Sequence, residues 1–461
     1  MLAACAAAAP ASAVGPRLAP ATLASPQQRP FLSPLPRPTE AVRPTDERDP
    51  ARNAYTVPEA PRSPCCGPHF CVHWVAVGLD APDPADSDGD GAPDHVERVL
   101  AVAERVHEAQ NGRLGWREPK GDGRRGGGRD KTDIYLAQLA GGLFGYAAPD
   151  RRQLRRGRRA PRRLHGYLVL DNDYSAFEFP GTDPEVDLKV TLAHEYNHIL
   201  QLGYDAYQDA WFAEATATWM EEQVFGGLDD YLRYVRRWVR RPHVPLTARS
   251  IKMYGSAVWN DWLARRYGRA IVRRAWERAI HSRPGGFSAR VYDGAIRAAG
   301  RSDFGREFAR FAAAVAEWRT GAGFSESRLY PDLPRRGTLR PGGRALMRRL
   351  DHTTFQALRV PARGGAELVV RARAPRGTAA GLALVGRLGS ERRGRPVARL
   401  AYAPHGGPLR VRVARPGRFS RLTAVVVNAD ADARGFSPRR LDWAYLTDTA
   451  PFELAARLRR R

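Results

Sequence analysis

Lysine is nearly missing from this chain: Lys120, Lys131, Lys189 and Lys252 are its only lysines among 74 basic residues. The net charge of +25 therefore rests on arginine. With so much alanine, glycine and proline, that balance reads as the codon bias of GC-rich DNA rather than a built cationic patch. The densest run, Arg151 to Arg163, has no interleaved aromatic residue and no nucleic-acid motif, so nucleic-acid binding is not expected. It reads as a solvated loop, or as a dock for an anionic wall polymer. No run of roughly eighteen apolar residues occurs, so no transmembrane segment is expected.

Cysteine is scarce as well. Cys65, Cys66 and Cys71 lie close enough for one small disulfide, and Cys66–Cys71 is the expected pairing, with Cys65 left over. A zinc knuckle using His69 or His73 fits no common spacing. The first residues lack the positive charges that open a secretory signal. Yet Leu2-Ala-Ala-Cys5 resembles a lipobox, and Ala11-Ser-Ala13 an ordinary cleavage site. Both point to an extracellular protein, with lipid anchoring through Cys5 as an option.

What is present is concentrated in two segments. Thr191-Leu-Ala-His-Glu-Tyr-Asn-His-Ile-Leu-Gln201 holds His194-Glu195-x-x-His198 on a helical stretch, and Glu214 follows sixteen residues after the second histidine. Histidines four apart share one face of a helix, so both rings can reach one ion. A glutamate on the next helix can be the third ligand. The fourth tetrahedral position is then open to water, as at a catalytic zinc. Asp183 is a cap candidate, Pro184 suits the first turn, and Gly203 can end the helix. Two histidines and a glutamate on so apolar a helix need a reason, because unpaired buried polar groups are costly. Metal ligation is such a reason.

Upstream, Asp-Ser-Asp-Gly-Asp-Gly-Ala-Pro-Asp-His-Val-Glu over 86–97 fits the calcium-loop pattern at every specified position. Asp86, Asp88 and Asp90 take positions one, three and five. The Ala92 carbonyl, Asp94 and Glu97 complete the expected set. Pro93 removes the N–H that a paired loop would share, and there is no second loop of this kind. The expectation is a solitary structural calcium site.

The paired segments around His194 and Trp211-x-x-Glu214-Ala-x-Ala217-x-x-x-Glu221 resemble the gluzincin metallopeptidases. Ala215 stands where the aminopeptidases of that group carry glycine, and their exopeptidase anchor is missing. Residues 66–330 look more like secreted bacterial metalloproteases in which a calcium loop precedes a His-Glu-Tyr-x-His helix. The resemblance implies zinc held by His194, His198 and Glu214, with Glu195 as general base on a protein or peptide substrate. It also implies a donor to the developing oxyanion; Tyr254 is the candidate and His243 the runner-up. Asp209, Glu221 and Glu222 are the nearest carboxylates that could orient a zinc histidine.

The implied architecture is α+β. A signal remnant (1–13) and a disordered linker or propeptide (14–65) precede a zincin-like catalytic domain (66–225) with a mixed sheet. A helical lobe (226–335) and a C-terminal β-sandwich (340–461) follow. Cys71–Val77, Asp133–Leu136 and Gly166–Leu170 read as strands, the last as the edge of the cleft. The expected function is that of a secreted, monomeric, zinc-dependent endopeptidase. The alternatives are a non-catalytic wall-binding protein and a metal-dependent aminopeptidase or amidase on the same scaffold.

Overall fold

A computed structural model describes residues 43–46, 54–139, 142–150, 153, 162–280, 289–318, 324, 326–361, 364–389, 395–431 and 448–459. Cys5, the signal-like start and most of the Arg151–Arg163 run lie outside these residues. The fold is α+β, and the chain forms two compact units that divide between Asp230 and Tyr231.

The first unit is built on β1 (Cys65–Cys66), β2 (Phe70–His73), β3 (Thr132–Ala137), β4 (Gly145–Pro149) and β5 (Gly166–Asp171). They form one mixed sheet in the order β1-β2-β3-β5-β4. β2, β3 and β5 run parallel and are buried along their whole length, as strands covered on both faces must be. Cys66 and Cys71 face each other across the β1–β2 pair and form the expected disulfide.

One correction follows from the strand order. β5 lies inside the sheet, and the edge is β4, paired antiparallel to it. Gly-Tyr-Ala-Ala-Pro carries no β-branched residue, so the strand is silent in the sequence. An edge position is also where its Pro149 is tolerated.

Helix α1 (Asp94–His107) continues into a π-helical turn, Glu108–Arg113. α2 (Pro184–Asp205) crosses β4 and β5, and α3 (Ala210–Val224) packs on α2. Asp183 caps α2 by accepting from the Glu185 and Val186 amides at 2.9 and 3.4 Å, with Pro184 in the first turn. Gly203 does not end the helix, which runs on to Asp205. The Leu164 amide and Arg163 Nε donate to the Leu202 and Gly203 carbonyls at 2.9 and 2.7 Å, satisfying the last turn from outside.

The opposite face of the sheet is covered by residues expected to belong to a linker. Tyr55 is buried against Tyr135, Tyr167 and Val169. Arg43 is buried among Asp133, Asp122 (2.6 Å) and Asp150 (3.1 Å). The folded unit therefore extends back at least to Arg43.

In the second unit, α4 (Leu232–Val239), α5 (Lys252–Gly255), α6 (Ala257–Tyr267), α7 (Ala270–Ile280), α8 (Arg290–Ala299) and α9 (Phe304–Val315) precede β6 (Arg335–Thr338) to β14 (Ala450–Arg459). The intervening strands are β7 (Leu346–Leu350), β8 (Thr354–Arg359), β9 (Glu367–Ala374), β10 (Ala380–Leu388), β11 (Arg395–Ala403), β12 (Gly407–Ala414) and β13 (Phe419–Asn428). Two sheets, β11-β10-β13-β8-β6 and β12-β9-β14-β7, share one sandwich-like apolar core that includes Leu382, Val426, Val370 and Phe452. Within this unit the helices pack on the sheet that holds β10: α9 lies on β10, and the ring centroids of Trp238 and Phe308 are each 6.1 Å from that of Phe355.

Two glycines let α2 lie close to the sheet. A Cβ on Gly145 would sit 2.8 Å from Thr191 Cγ2, and one on Gly166 would sit 2.5 Å from the Ala148 carbonyl and 2.7 Å from Leu202. Gly166→Ala should therefore lower unfolding free energy by about 1–3 kcal/mol, measured by denaturant titration. An unchanged midpoint would show that α2 does not need this approach.

Candidate metal centre on helices α2 and α3

His194, Glu195 and His198 occupy the middle of α2, and Glu214 sits one turn into α3; all four are buried. The structure brings His194, His198 and Glu214 together, with one ligand atom from each within 4.8 Å of the others. Glu214 Oε2 lies 3.2 Å from His194 Nε2 and 3.6 Å from His198 Nε2. His198 Nε2 and Glu214 Oε1 have no hydrogen-bond partner among the described residues. Two buried unpartnered atoms on two of the three gathered residues suit a cation that could take them as ligands.

The outer nitrogen of each imidazole is held. Glu221 Oε1 lies 2.6 Å from His194 Nδ1, so among the three candidate carboxylates it is the one that orients a site histidine. Asp209 instead accepts from the Trp211 indole, and Glu222 from the Gly227 and Asp229 amides.

His198 is oriented by a chain of amides that the sequence did not reveal. Gln110 Nε2 donates to the Ala193 carbonyl at 2.8 Å, so its Oε1 is left to accept from Asn197 Nδ2 at 3.0 Å. Asn197 Oδ1 then accepts from Gln201 Nε2 at 2.7 Å, and that nitrogen also donates to the Ala213 carbonyl at 3.1 Å. Gln201 is thereby turned with Oε1 toward His198 Nδ1, 2.9 Å away. An acceptor there keeps a proton on Nδ1, so Nε2, which faces Glu214, is the nitrogen left to bind a cation once its own proton is gone. Asn197 and Gln201 were visible as a polar stripe with His194 and His198 on an apolar helix. Gln110 was not, because it arrives from the π-helical turn far away in sequence.

The charges are coupled. Burial alone would lower the His194 pKa, but Glu214 and Glu221 overcome it and push it up to about 9. Burial would raise Glu214, yet His198 and His194 hold it down at about 2. A carboxylate thus stays ionised in a fully buried place, as a metal ligand must. Glu195 Oε2 accepts from the Ala147 amide of edge strand β4 at 3.0 Å, and its charge is felt by His194.

Tyr254 belongs to the second unit, on α5. It is buried there and stacks on Tyr234, with ring centroids 4.9 Å apart.

In the upstream loop, Asp86, Asp88 and Asp90 gather within 4.8 Å. Asp86 accepts from the Gly89 and Gly91 amides at 2.8 and 2.9 Å. Ala92 donates its amide to Asp90 Oδ1 at 2.9 Å. The Glu97 pKa is raised by burial and then by the charge of Asp88, Asp90, Asp94 and Asp86, so it borders the cluster. Asp94 is held within the loop. Both its oxygens accept from Ser87, at 2.9 and 2.6 Å, which ties the loop's start to its exit helix.

The family model that matches this chain is described as "Family of unknown function (DUF6055)" and covers residues 182–293, a span that includes His194, His198 and Glu214. A search of curated proteins finds no match. Among solved structures, the pre-peptidase C-terminal domain of collagenase from Bacillus anthracis is similar at 9% identity, over 28% of this chain and 100% of that one. Its TM-score of 0.19 is too low to carry an argument.

Three outcomes are expected. Gln201→Leu and Glu221→Gln should each weaken zinc binding by about 10–100-fold in a competition titration with a chromogenic chelator. Wild-type affinity should rise toward pH 9, because His194 must release its proton to bind. Unchanged affinity in both variants would remove the orienting role. Calcium at 10 mM should add about 1–3 kcal/mol to unfolding free energy, and Asp88→Ala should abolish the gain. A thermal midpoint indifferent to calcium would contradict the loop's assignment.

Proposed function

We propose that this chain is a zinc-dependent endopeptidase of the gluzincin type that works outside the cell. One observation carries the reading: two imidazoles and an ionised carboxylate converge in a buried place, where His198 Nε2 and Glu214 Oε1 have no hydrogen-bond partner among the described residues. His194, His198 and Glu214 would hold the ion. Zinc bound there supplies Lewis-acid polarisation of a carbonyl and lowers the pKa of water toward neutrality.

The remaining work falls to the chain itself. Glu195 takes the proton of the attacking water on its carboxylate and returns it to the leaving nitrogen. The Ala147 N–H fixes that carboxylate beside the edge strand. β4 ends the sheet, the position at which an extended peptide adds by backbone pairing. An extended substrate laid there would run past Glu195. This favours cleavage within a chain, as does the missing exopeptidase anchor. Gln201 and Glu221 keep the two imidazoles facing inward.

Calcium in the Asp86–Asp90 loop would pin the start of α1 beneath the sheet. The Cys66–Cys71 disulfide supports an oxidising, extracellular setting. Among the described residues, no helix is long and apolar enough to cross a membrane.

Casein hydrolysis by purified, zinc-loaded protein tests the proposal. Glu195→Gln should bind zinc as wild type does and lose about 10²–10⁴-fold in kcat. Activity that survives this change or a zinc chelator would overturn the mechanism. Tight zinc binding without hydrolysis of casein or a peptide library would favour a non-catalytic binding protein.

A further inference from the structure

The outer face of the sheet β12-β9-β14-β7 carries a concentration of arginine that its own fold does not use. Along β9 and β12 the inward residues, such as Val370 and Val411, belong to the sandwich core, while Arg371, Arg373, Arg410 and Arg412 alternate outward and are exposed. On β14, Arg457 and Arg459 do the same. The register makes the arrangement unfavourable in isolation: Arg371 lies directly opposite Arg410, and its neighbour on the other side is Ala455. Like charges directly opposite on one face destabilise a sheet.

Counterions are few there. Glu367 is shared by Arg412 and Arg459 at 3.7 and 3.6 Å, and Glu453 lies across from Arg373. No ion pair is formed by Arg371, Arg373, Arg410 or Arg457 among the described residues. Between Arg371, Arg373 and Arg410, with small Ala455 as floor and Pro408 and Glu453 as flanks, runs an open groove of about 520 Å³.

We infer that this face binds an acidic polysaccharide, whose carboxylate or sulfate groups supply the missing counterions. The site is distinct from the metal centre and stands whether or not zinc hydrolysis does. Guanidinium forks suit planar or multi-oxygen anions, and several across neighbouring strands can engage a repeating charged chain. No aromatic residue points outward on β9, β12 or β14, so the base-stacking platform of a single-stranded nucleic-acid groove is lacking. Among the described residues of this face the large exposed apolar side chain is Met347 of β7, opposite Glu453, and a single methionine is a weak membrane anchor.

The test uses the full chain with dextran sulfate as probe and uncharged dextran as control, in 150 mM salt. Dextran sulfate should bind, dextran should not, and affinity should fall as salt rises. Arg371→Gln combined with Arg410→Gln should weaken binding about tenfold or more and flatten the salt dependence, because two counterion-releasing contacts are gone. Arg113→Gln with Arg129→Gln, two exposed arginines of the first unit, should change affinity less than about twofold. Equal losses in both double variants would reduce the effect to overall charge and overturn the site. Tighter binding of single-stranded DNA or of anionic phospholipid vesicles than of dextran sulfate would overturn the choice of partner. A thermal melt of each variant, expected to match wild type or exceed it, separates lost binding from lost folding.

Discussion

The amide chain from the Ala193 carbonyl through Gln110, Asn197 and Gln201 to His198 is the constraint on which the centre of the first unit depends. α2 is buried from Asp187 to Asp205, yet it carries His194, Glu195, Asn197, His198 and Gln201. A buried polar network with one member unsatisfied is worse than an apolar core, and a satisfied one is rigid. Every amide in this chain has its donor and acceptor ends distinguished by a main-chain carbonyl at the start. The result is one defined nitrogen, His198 Nε2, turned toward Glu214. Glu221 anchors the other imidazole from α3, so the two helices hold the two rings independently.

This explains the irregular turn after α1. An ordinary helix through Glu108–Arg113 would space its side chains differently, and π-helical turns recur at functional sites. Here the widened turn presents Gln110 to α2 and also Asn111, whose Oδ1 accepts from the Tyr196 hydroxyl at 2.9 Å. The calcium-type loop begins the same helix, and Ser87 fastens it through Asp94. Loop, helix, turn and site residues thus form a single mechanical series, running from an acidic loop to the inner geometry of α2.

Local signals were the ones legible in the sequence. The His194–His198 spacing, the Asp183 cap, the loop aspartates and the Cys66–Cys71 pair all act within a few residues of one another. What could not be read depends on partners distant in the chain. Edge strand β4 is short, glycine- and alanine-rich, and defined only by pairing with β5. Gly203 looked like a helix stop, but donors from residues 163 and 164 carry α2 past it. Arg43 and Tyr55 sit in proline-rich sequence that suggests disorder, although three aspartates and an aromatic layer on the sheet hold them. The arginine face of β9 and β12 was hidden by the opposite problem: arginine is so frequent that only strand register separates a pattern from the background.

If the polar groups of α2 and α3 hold a metal, the ligand shell of that metal must consist of their atoms. X-ray absorption at the zinc edge of the loaded, full-length protein addresses it most directly. One zinc is expected, bound by two imidazole nitrogens and by oxygen, at about 2.0–2.2 Å, with no sulfur. A sulfur shell near 2.3 Å, which would move the metal to the cysteines around residue 66, or no zinc retained after dialysis, would contradict it.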